Sequence, residues 1–358
     1  MKKLLTGLVM AAFTAVAPAA LAQAKDPMKV GFVYVGPIGD HGWSYQHDLG
    51  RKALEKHFDG KVKTTYVENV AEGADAERVI RQLASTGHDV IFTTSFGFMN
   101  PTLKVAKQFP KVVFEHATGY KRSENLGTYL SVTYEGRYIS GYVAAKMSKT
   151  GKVGYIASFP IPEVVRDINA VMLGMQRVNP NAELVVIWVN TWFDPGKERS
   201  TAEVMMDQGV DVIIQHTDSP AAMQAAEARG RYAVGQASDM SHFGPKAHLL
   251  SVVNDWSNHY IKTVQEVMDG TWKPKDYWGG MADDVIRIPA FNSAIPADVV
   301  AEAKSFMDGI KKGTFHPFTG PIKDQTGAVR VPAGKTMTNA ELAGMNWYVQ
   351  GIKGSLPK

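Results

Sequence analysis

The sequence contains no cysteine in 358 residues. This excludes a disulfide framework, a thiolate nucleophile, a thiolate zinc site and a cysteine that carries a lipid anchor. A chain of this length without cross-links has to be held together by buried apolar side chains. It is long enough for two domains with separate cores.

Basic clusters and long apolar runs are also absent after the N-terminal segment. The net charge is only +4, and no dense group of lysines and arginines is interleaved with aromatic residues, which argues against nucleic acid as a partner. No later segment offers the roughly 20 uninterrupted apolar residues that a membrane-spanning helix needs. We therefore expect neither a nucleic-acid-binding protein nor a membrane-spanning one.

The motifs of common enzyme classes are missing as well. The loop Gly36–Gly42 is glycine-rich, but it lacks the dinucleotide fingerprint and the Lys-Ser/Thr pair of a triphosphate loop, so its glycines are better explained by tight turns. Neither Gly-x-Ser-x-Gly nor His-Glu-x-x-His occurs. His41 and His47, near Asp40 and Asp48, are weakly spaced for a metal. We predict no enzyme activity, no cofactor and no metal site.

The N-terminus has the pattern of a secretory signal peptide. Two early lysines precede an apolar run over 4–16 and the small-residue ending Ala22-Gln-Ala24. The run is too short to span a bilayer. We expect residues 1–24 to be cleaved and the mature chain to be released into the periplasm without a lipid anchor. A buried N-terminal helix or a membrane anchor is the alternative.

Apolar, β-branched runs alternate with helical stretches along the remaining chain. The runs lie at 29–35, 62–67, 89–94 and 112–116, and again, after Gly151, at 152–157, 183–189, 211–215 and 232–235. Alternation at this spacing is typical of parallel βαβ units. It predicts an α/β fold with two doubly wound parallel-sheet lobes.

The segment after residue 250 supplies additional strands and helices that complete the two sheets. The chain is then expected to cross between the lobes more than once, and several crossings form a hinge. We expect the N-terminal lobe to contain 25–148 plus about 256–312. The C-terminal lobe is expected to contain 149–255 plus about 313–358.

Aromatic residues follow several strands, at the sheet edge where open α/β sheets bind ligands. They are Trp43, Phe96, Phe98, Phe159 and Trp192. Trp43 either caps its local core or forms a stacking platform that faces the cleft, and we prefer the platform. Phe96 is expected in the cleft and Phe98 in the core, although the reverse assignment is open.

Polar residues follow two further strands. They are Gln236, Ser238 and Asp239 after one strand and Asn254 and Asp255 after the next. Each could simply cap the following helix. Together with the aromatic residues they describe a pocket for a planar heterocycle, since stacking contributes about 0.5–1.5 kcal/mol beyond area burial. A buried polar group also rejects molecules without the matching partner.

Five short motifs are spread over nearly all of the mature chain. They are Gly39-Asp-His-Gly-Trp-Ser-Tyr45, Tyr134-Glu-Gly-Arg-Tyr-Ile-Ser-Gly-Tyr-Val-Ala-Ala-Lys-Met147, Gly151-Lys-Val-Gly-Tyr155, Val189-Asn-Thr-Trp-Phe-Asp-Pro195 and Trp347-Tyr-Val-Gln-Gly351. In this order they resemble the Bmp (basic membrane protein) family of substrate-binding proteins of ABC transporters, which includes purine nucleoside receptors. The resemblance implies a monomeric type I periplasmic-binding fold that closes on a purine and docks on a membrane permease.

Two departures from the family's pattern bear on the ligand. The chain has Gly235-Gln-Ala-Ser-Asp239 where nucleoside-binding members have Gly-Val-Asp-x-Asp. It has Ser251-Val-Val-Asn254 where they have Ser-x-x-Lys, whose lysine serves the ribose hydroxyls. We therefore expect a nucleobase such as adenine, hypoxanthine or guanine rather than a nucleoside.

Two alternative functions remain open. One is a binding protein of the same fold for a purine nucleoside, a sugar, an amino acid or another small solute. The other is a periplasmic oxidoreductase that holds a nucleotide cofactor through the loop Gly36–Gly42. The missing dinucleotide fingerprint argues against the second.

Overall fold

The computed structural model describes residues 26–357. The predicted signal peptide, residues 1–24, lies outside the described residues. Within the described range the strands are, in chain order, β1 (Met28–Val33), β2 (Val62–Val67), β3 (Val90–Thr93), β4 (Val113–Ala117), β5 (Leu126–Ser131), β6 (Lys152–Ala157), β7 (Glu183–Trp188), β8 (Val212–Gln215), β9 (Tyr232–Ala237), β10 (His248–Asn254), β11 (Asp276–Gly279), β12 (Ile286–Arg287), β13 (Ile322–Lys323), β14 (Val329–Val331) and β15 (Ile352–Lys353).

The helices of the same range alternate with these strands. In chain order they are α1 (Gly42–Phe58), α2 (Ala74–Ser85), α3 (Met99–Ala106), α4 (Tyr134–Met147), α5 (Pro162–Gln176), α6 (Pro195–Asp207), α7 (Ala221–Ala228), α8 (Ser257–Met268), α9 (Ala297–Lys311) and α10 (Asn339–Ala343).

Two large sheets organise the chain into two lobes. The first sheet has the strand order β11-β5-β4-β3-β1-β2, and all of its neighbouring strands are parallel. The second sheet has the order β12-β10-β9-β8-β6-β7-β15, and only β12 is antiparallel to its neighbour. The predicted α/β fold with two doubly wound parallel-sheet lobes is confirmed.

The central strands are buried on both faces because helices cover both sides of each sheet. In β1, Phe32 and Val33 are both fully buried. Successive side chains of a strand point to opposite faces, so Phe32 packs with Leu54 and Tyr260 on one face while Val33 packs with Ile80 on the other. This explains why the strands read as continuous apolar runs in the sequence.

The chain passes between the two sheets three times within the described residues, at 132–133, 255–256 and 280–285. Hydrogen bonds tie these connections together. The Val132 amide donates to the Gly279 carbonyl oxygen at 2.8 Å, and the Asp255 amide donates to the Val285 carbonyl oxygen at 2.8 Å. The neighbouring connections form the hinge expected from the sequence.

Sheet membership places the lobe boundaries differently from the ranges expected above. Helix α4 belongs with the second lobe because it packs closely on α5, and not with the first lobe as the range 25–148 implied. Strand β12 pairs with β10 of the second sheet. Helix α9 packs on α4, where the Tyr142 hydroxyl donates to Glu302 Oε2 at 2.6 Å, so much of 280–312 also belongs to the second lobe.

The tight contact between α4 and α5 requires glycine on both helices. A Cβ atom at Gly141 would lie 2.0 Å from the Val171 carbonyl oxygen, and one at Gly174 would lie 2.1 Å from the Tyr138 carbonyl oxygen. Neither distance is compatible with a real contact. The backbones of α4 and α5 therefore lie in direct contact. This contact holds α4 in the second lobe, beside the hinge.

We predict that Gly141→Ala lowers the free energy of unfolding by about 1–3 kcal/mol, the usual cost of overpacking a well-packed contact. Chemical denaturation of the purified variant measures this change. Gly344→Ala is the matched control, since its Cβ would lie 3.7 Å from the nearest atom and its φ is −101°. Equal stability of the two variants would contradict the packing argument.

Candidate functional site

A cavity lies between the two lobes, at the carboxyl ends of the parallel strands. This is the edge at which open α/β sheets bind ligands. Both lobes line it. The first lobe contributes Trp43 and Phe96 together with backbone and hydroxyl groups, and the second contributes Trp192, Gln236 and two carboxyl groups.

Trp43 lies in the first turn of α1 and is held in place by its neighbours. Its indole Nε1 donates to the Thr94 carbonyl oxygen at 2.6 Å. Its ring meets the rings of His47 and Trp256 edge-on, at centroid distances of 4.5 and 5.7 Å. These contacts fix the indole in the cavity wall, where it faces the opposite lobe.

Trp192 follows β7 and lines the cavity from the second lobe. Its ring centroid lies 5.0 Å from that of Phe159, at 54° between the planes. Phe159, a predicted site residue, therefore supports Trp192 but does not line the cavity. The indole Nε1 of Trp192 is buried and has no hydrogen-bond partner among the described residues.

Two carboxyl groups that the sequence analysis did not select line the same cavity. Asp218 follows β8, and Glu163 lies in the first turn of α5. Asp218 follows the rule used for the other candidates, a polar residue beyond the carboxyl end of a strand, and that rule could have found it. Glu163 carried no such signal, because an acidic residue in the first turn is common in helices.

Burial shifts the protonation of both carboxyl groups. It raises the pKa of Asp218 to about 8, although the hydrogen bond from the Trp43 amide acts in the opposite direction. Burial also raises the pKa of Glu163 to about 7, and the charge of Arg166 opposes this rise. Both groups therefore titrate near neutral pH and can donate or accept a hydrogen bond there.

A buried polar network, here called the Arg137 network, lies against the second-lobe side of the cavity. It comprises Arg137, Tyr155, Asp167, His216 and Gln236. His216 Nδ1 lies 2.9 Å from the Tyr155 hydroxyl and 3.7 Å from Asp167 Oδ2. Burial, with the charges of the nearby arginines, holds the pKa of His216 well below its usual value. His216 is therefore neutral at physiological pH.

Two hydrogen bonds join the lobes beside the cavity. The Gly42 amide donates to Ser238 Oγ at 2.7 Å, and the Trp43 amide donates to Asp218 Oδ1 at 3.1 Å. The first amides of a helix have no partner within it, and here the opposite lobe supplies the partners. Ser238, a predicted ligand contact, thus joins the lobes and does not line the cavity.

The remaining predicted residues lie outside the cavity. Phe98 is fully buried in the first-lobe core, as the preferred assignment expected. Asp239 is exposed and accepts the Ser241 amide. Asn254 is buried at the end of β10 without lining the cavity, and Asp255 accepts the Ser257 amide.

The structure thus brings together four of the ten predicted residues as cavity lining, namely Trp43, Phe96, Trp192 and Gln236. The histidines considered for a metal are engaged elsewhere. His41 Nδ1 lies 2.7 Å from Asp40 Oδ1, and His47 Nδ1 is within hydrogen-bond distance of the Tyr260 hydroxyl. Over residues 26–357, no group of three His, Asp or Glu side chains is arranged to hold a metal ion.

The sequence of the chain is similar to those of binding proteins of transporters. The family model for Bmp, described as "ABC transporter substrate-binding protein PnrA-like", matches residues 28–313. The chain is 53% identical to a purine-binding protein of Brucella abortus over 94% of its length and 96% of that protein. It is 42% identical to a candidate ABC transporter glucose-binding protein, TsgA13, of Haloferax volcanii, over 76% of this chain and 70% of that one.

Solved structures give the same fold at lower identity. An ABC transporter solute-binding protein from Aeropyrum pernix superposes with a TM-score of 0.70 at 20% identity, covering 83% of this chain and 93% of that one. A solute-binding protein of an ABC transporter from Conexibacter woesei gives 0.66 at 19% identity, covering 81% and 98%. In the described part of our chain, every helix is too short or too polar to cross a bilayer.

We predict that Asp218→Asn makes the protein relatively more stable as the pH rises. In the unfolded chain this carboxyl loses its proton above an ordinary pKa of 3.8, whereas in the folded protein it keeps the proton until about pH 8. The folded state therefore loses stability across that window. The asparagine still accepts the Trp43 amide but does not ionise. Melting temperatures measured across the window should increasingly favour the variant.

Asp308→Asn, on the exposed face of α9, is the control for this experiment. Its melting temperature should follow that of the unmodified protein at every pH. A difference between Asp218→Asn and the unmodified protein that stays constant with pH would show that Asp218 ionises normally.

Proposed function

The chain belongs to the Bmp family of PnrA-like ABC transporter substrate-binding proteins, and we propose that its cleft captures a purine, a nucleobase in preference to a nucleoside. The observation that carries the proposal is one cavity with aromatic faces from both lobes. Trp43 and Phe96 come from the first lobe and Trp192 from the second. The purine-binding relative from Brucella abortus supports the same ligand class.

Capture follows from the arrangement of the two lobes. In the open form a flat base stacks on the aromatic face of one lobe. Closure then brings the aromatic group of the other lobe, and with it Asp218, Glu163 and Gln236, to the ring and its polar edge. The ligand shifts the equilibrium towards the closed form because only that form offers both sets of contacts. No bond is made or broken, so the protein acts as a binding protein and not as an enzyme.

The preference for a base over a nucleoside rests on the missing sugar anchors. Among the described residues that line the cavity there is no lysine or arginine. Ser251, at the family's serine position, is fully buried and its hydroxyl is occupied by the Met240 amide at 3.1 Å and His248 Nε2 at 2.8 Å. Asn254, at the lysine position, does not line the cavity.

A sugar is the second candidate, because TsgA13 of Haloferax volcanii is named as a glucose-binding protein. A sugar ring presents hydroxyl groups around its whole edge, and each of them requires a hydrogen-bond partner when buried. Here three aromatic rings occupy the walls, and the free polar groups are concentrated in the second lobe. The cavity therefore matches a flat heterocycle better than a polyol.

The remaining parts of the proposal concern the setting of the protein. We infer export through the N-terminal leader to the periplasm, where the chain acts as a monomer without a lipid anchor, consistent with its lack of cysteine. The closed form then docks on the permease of an ABC importer. No cofactor enters this account.

Calorimetric titration with single compounds tests the ligand class. Adenine, hypoxanthine and guanine should bind, their nucleosides should bind at least about tenfold more weakly, and glucose should give no heat of binding. Tighter binding of the nucleosides would contradict the preference for a base. Binding of glucose without any purine would contradict the proposed ligand class.

We predict that Trp43→Ala weakens purine binding by at least about tenfold, the effect expected of a buried aromatic anchor. The loss follows from removal of one stacking face of the cavity. Calorimetry with the best-bound base measures it. Trp347→Ala is the matched control, because Trp347 packs against Arg330 outside the cavity. Unchanged affinity in Trp43→Ala would remove Trp43 from the site.

A further inference from the structure

Gln236 presents a defined end of its amide group to the cavity. The side chain lies near the end of β9 and is 4% exposed. Its Oε1 atom accepts a hydrogen bond from Arg137 Nη2. A guanidinium group has only donors, so the oxygen of the amide has to face Arg137 and the NH₂ group has to face away from it.

The NH₂ group of Gln236 is left free by the protein. Among the described residues, no acceptor is within hydrogen-bond distance of its Nε2 atom, and the atom is not sealed in the interior. Because Gln236 lines the cavity, this donor faces the space where the ligand binds. A ligand that fills the cavity takes this donor out of water, where a donor without a partner is costly, so a suitable ligand has to supply an acceptor.

Within the described residues, Nη2 is the nitrogen of Arg137 that has hydrogen-bond partners, while Nε and Nη1 have none. Its side chain is fully buried, and Nη2 also donates to the Gln215 carbonyl oxygen at 3.0 Å. Its Nε lies 3.6 Å from Asp167 Oδ2, and its Cζ lies 5.7 Å from the centroid of the Tyr155 ring. A buried arginine with a buried carboxylate beside it cannot leave without exposing an unpaired charge. The amide of Gln236 therefore keeps one orientation.

We propose that Arg137 is a positioning residue that presents Gln236 to the ligand as a hydrogen-bond donor, and that this donor selects purines carrying an acceptor atom at the matching edge. The acceptor is a ring nitrogen or an exocyclic oxygen. This inference rests on the proposed function. It adds that the ligand carries a hydrogen-bond acceptor where it meets Gln236. Asp218 and Glu163 line the same cavity. We therefore expect the edge of the ligand to carry this acceptor together with groups that form hydrogen bonds with carboxyl groups.

The first test replaces the hydrogen-bond donor of Gln236 with an acceptor of the same shape. Gln236→Glu retains the contact with Arg137 but replaces the donor with an acceptor. Adenine and hypoxanthine should bind about tenfold more weakly or worse, as expected for loss of a buried hydrogen bond. The matched control is Gln224→Glu, since Gln224 also accepts from an arginine, Arg199, but lies outside the cavity. Unchanged binding in Gln236→Glu overturns the proposal.

The second test locates the acceptor on the ligand. Calorimetry compares adenine and hypoxanthine with analogues in which one ring nitrogen at a time is replaced by CH, and with unsubstituted purine. One of these changes should weaken binding to the unmodified protein about tenfold and leave binding to Gln236→Leu unaffected. Equal losses in both proteins for every analogue overturn the proposal. Failure of the unmodified protein to bind any purine refutes the proposed function instead.

The third test addresses Arg137. The double variant Arg137→Gln/Asp167→Asn removes both buried charges together and frees the Gln236 amide to rotate. It should still bind the base. It should no longer discriminate between the base and the analogue that binds the unmodified protein more weakly. Arg137→Lys keeps a cationic donor and should restore most of that discrimination. Full discrimination in the double variant would show that Arg137 does not orient Gln236.

Discussion

The backbone amides that open α1 have their partners on the opposite lobe, and the cavity depends on those contacts. Gly42 and Trp43 donate to Ser238 and Asp218. The same helix start carries the indole of Trp43, so the residue that forms a wall of the site is also the residue whose amide joins the lobes. The wall of the cavity and the contact between the lobes therefore meet at the same residue. The chain crosses between the two sheets at three neighbouring connections within the described residues.

The cleft contains titratable carboxyl groups as well as aromatic rings. Burial raises the pKa of Asp218 and of Glu163. A neutral or easily protonated carboxyl can match either polarity on a purine edge, whereas the Gln236 amide is fixed by Arg137. The site thus combines two adaptable groups with one that has a defined direction. In the proposed function, such a combination accepts several related bases that share one hydrogen-bond acceptor.

Much of the fold could be predicted from the sequence because buried parallel strands are continuous apolar runs. The runs at 62–67 and 152–157 match β2 and β6 residue for residue. Helix α4 carried no such signal. It is buried nearly all round, so its sequence lacks the alternation of apolar and polar faces that marks a surface helix. Its place in the second lobe follows from the glycine contact with α5, which only the structure reveals.

The candidate site could be predicted only in part from large aromatic residues that follow strands. Three of the five aromatic candidates line the cavity, namely Trp43, Phe96 and Trp192, whereas Asp218 and Glu163 were missed. Ser238 was predicted to contact the ligand but bonds the Gly42 amide of the other lobe. A hydroxyl that bonds a ligand and one that bonds the other lobe look identical in sequence. Glu163 resembles any acidic helix start. Their roles depend on which groups face each other across the cleft, and that depends on long-range packing.

We propose that aromatic rings from both lobes close on one flat heterocycle. Mass spectrometry of the small molecule released on denaturing protein that was purified without refolding tests this directly. We expect the mass of a purine, and of a free base more than of its nucleoside. A sugar or an open-chain solute retained in the cleft would contradict it.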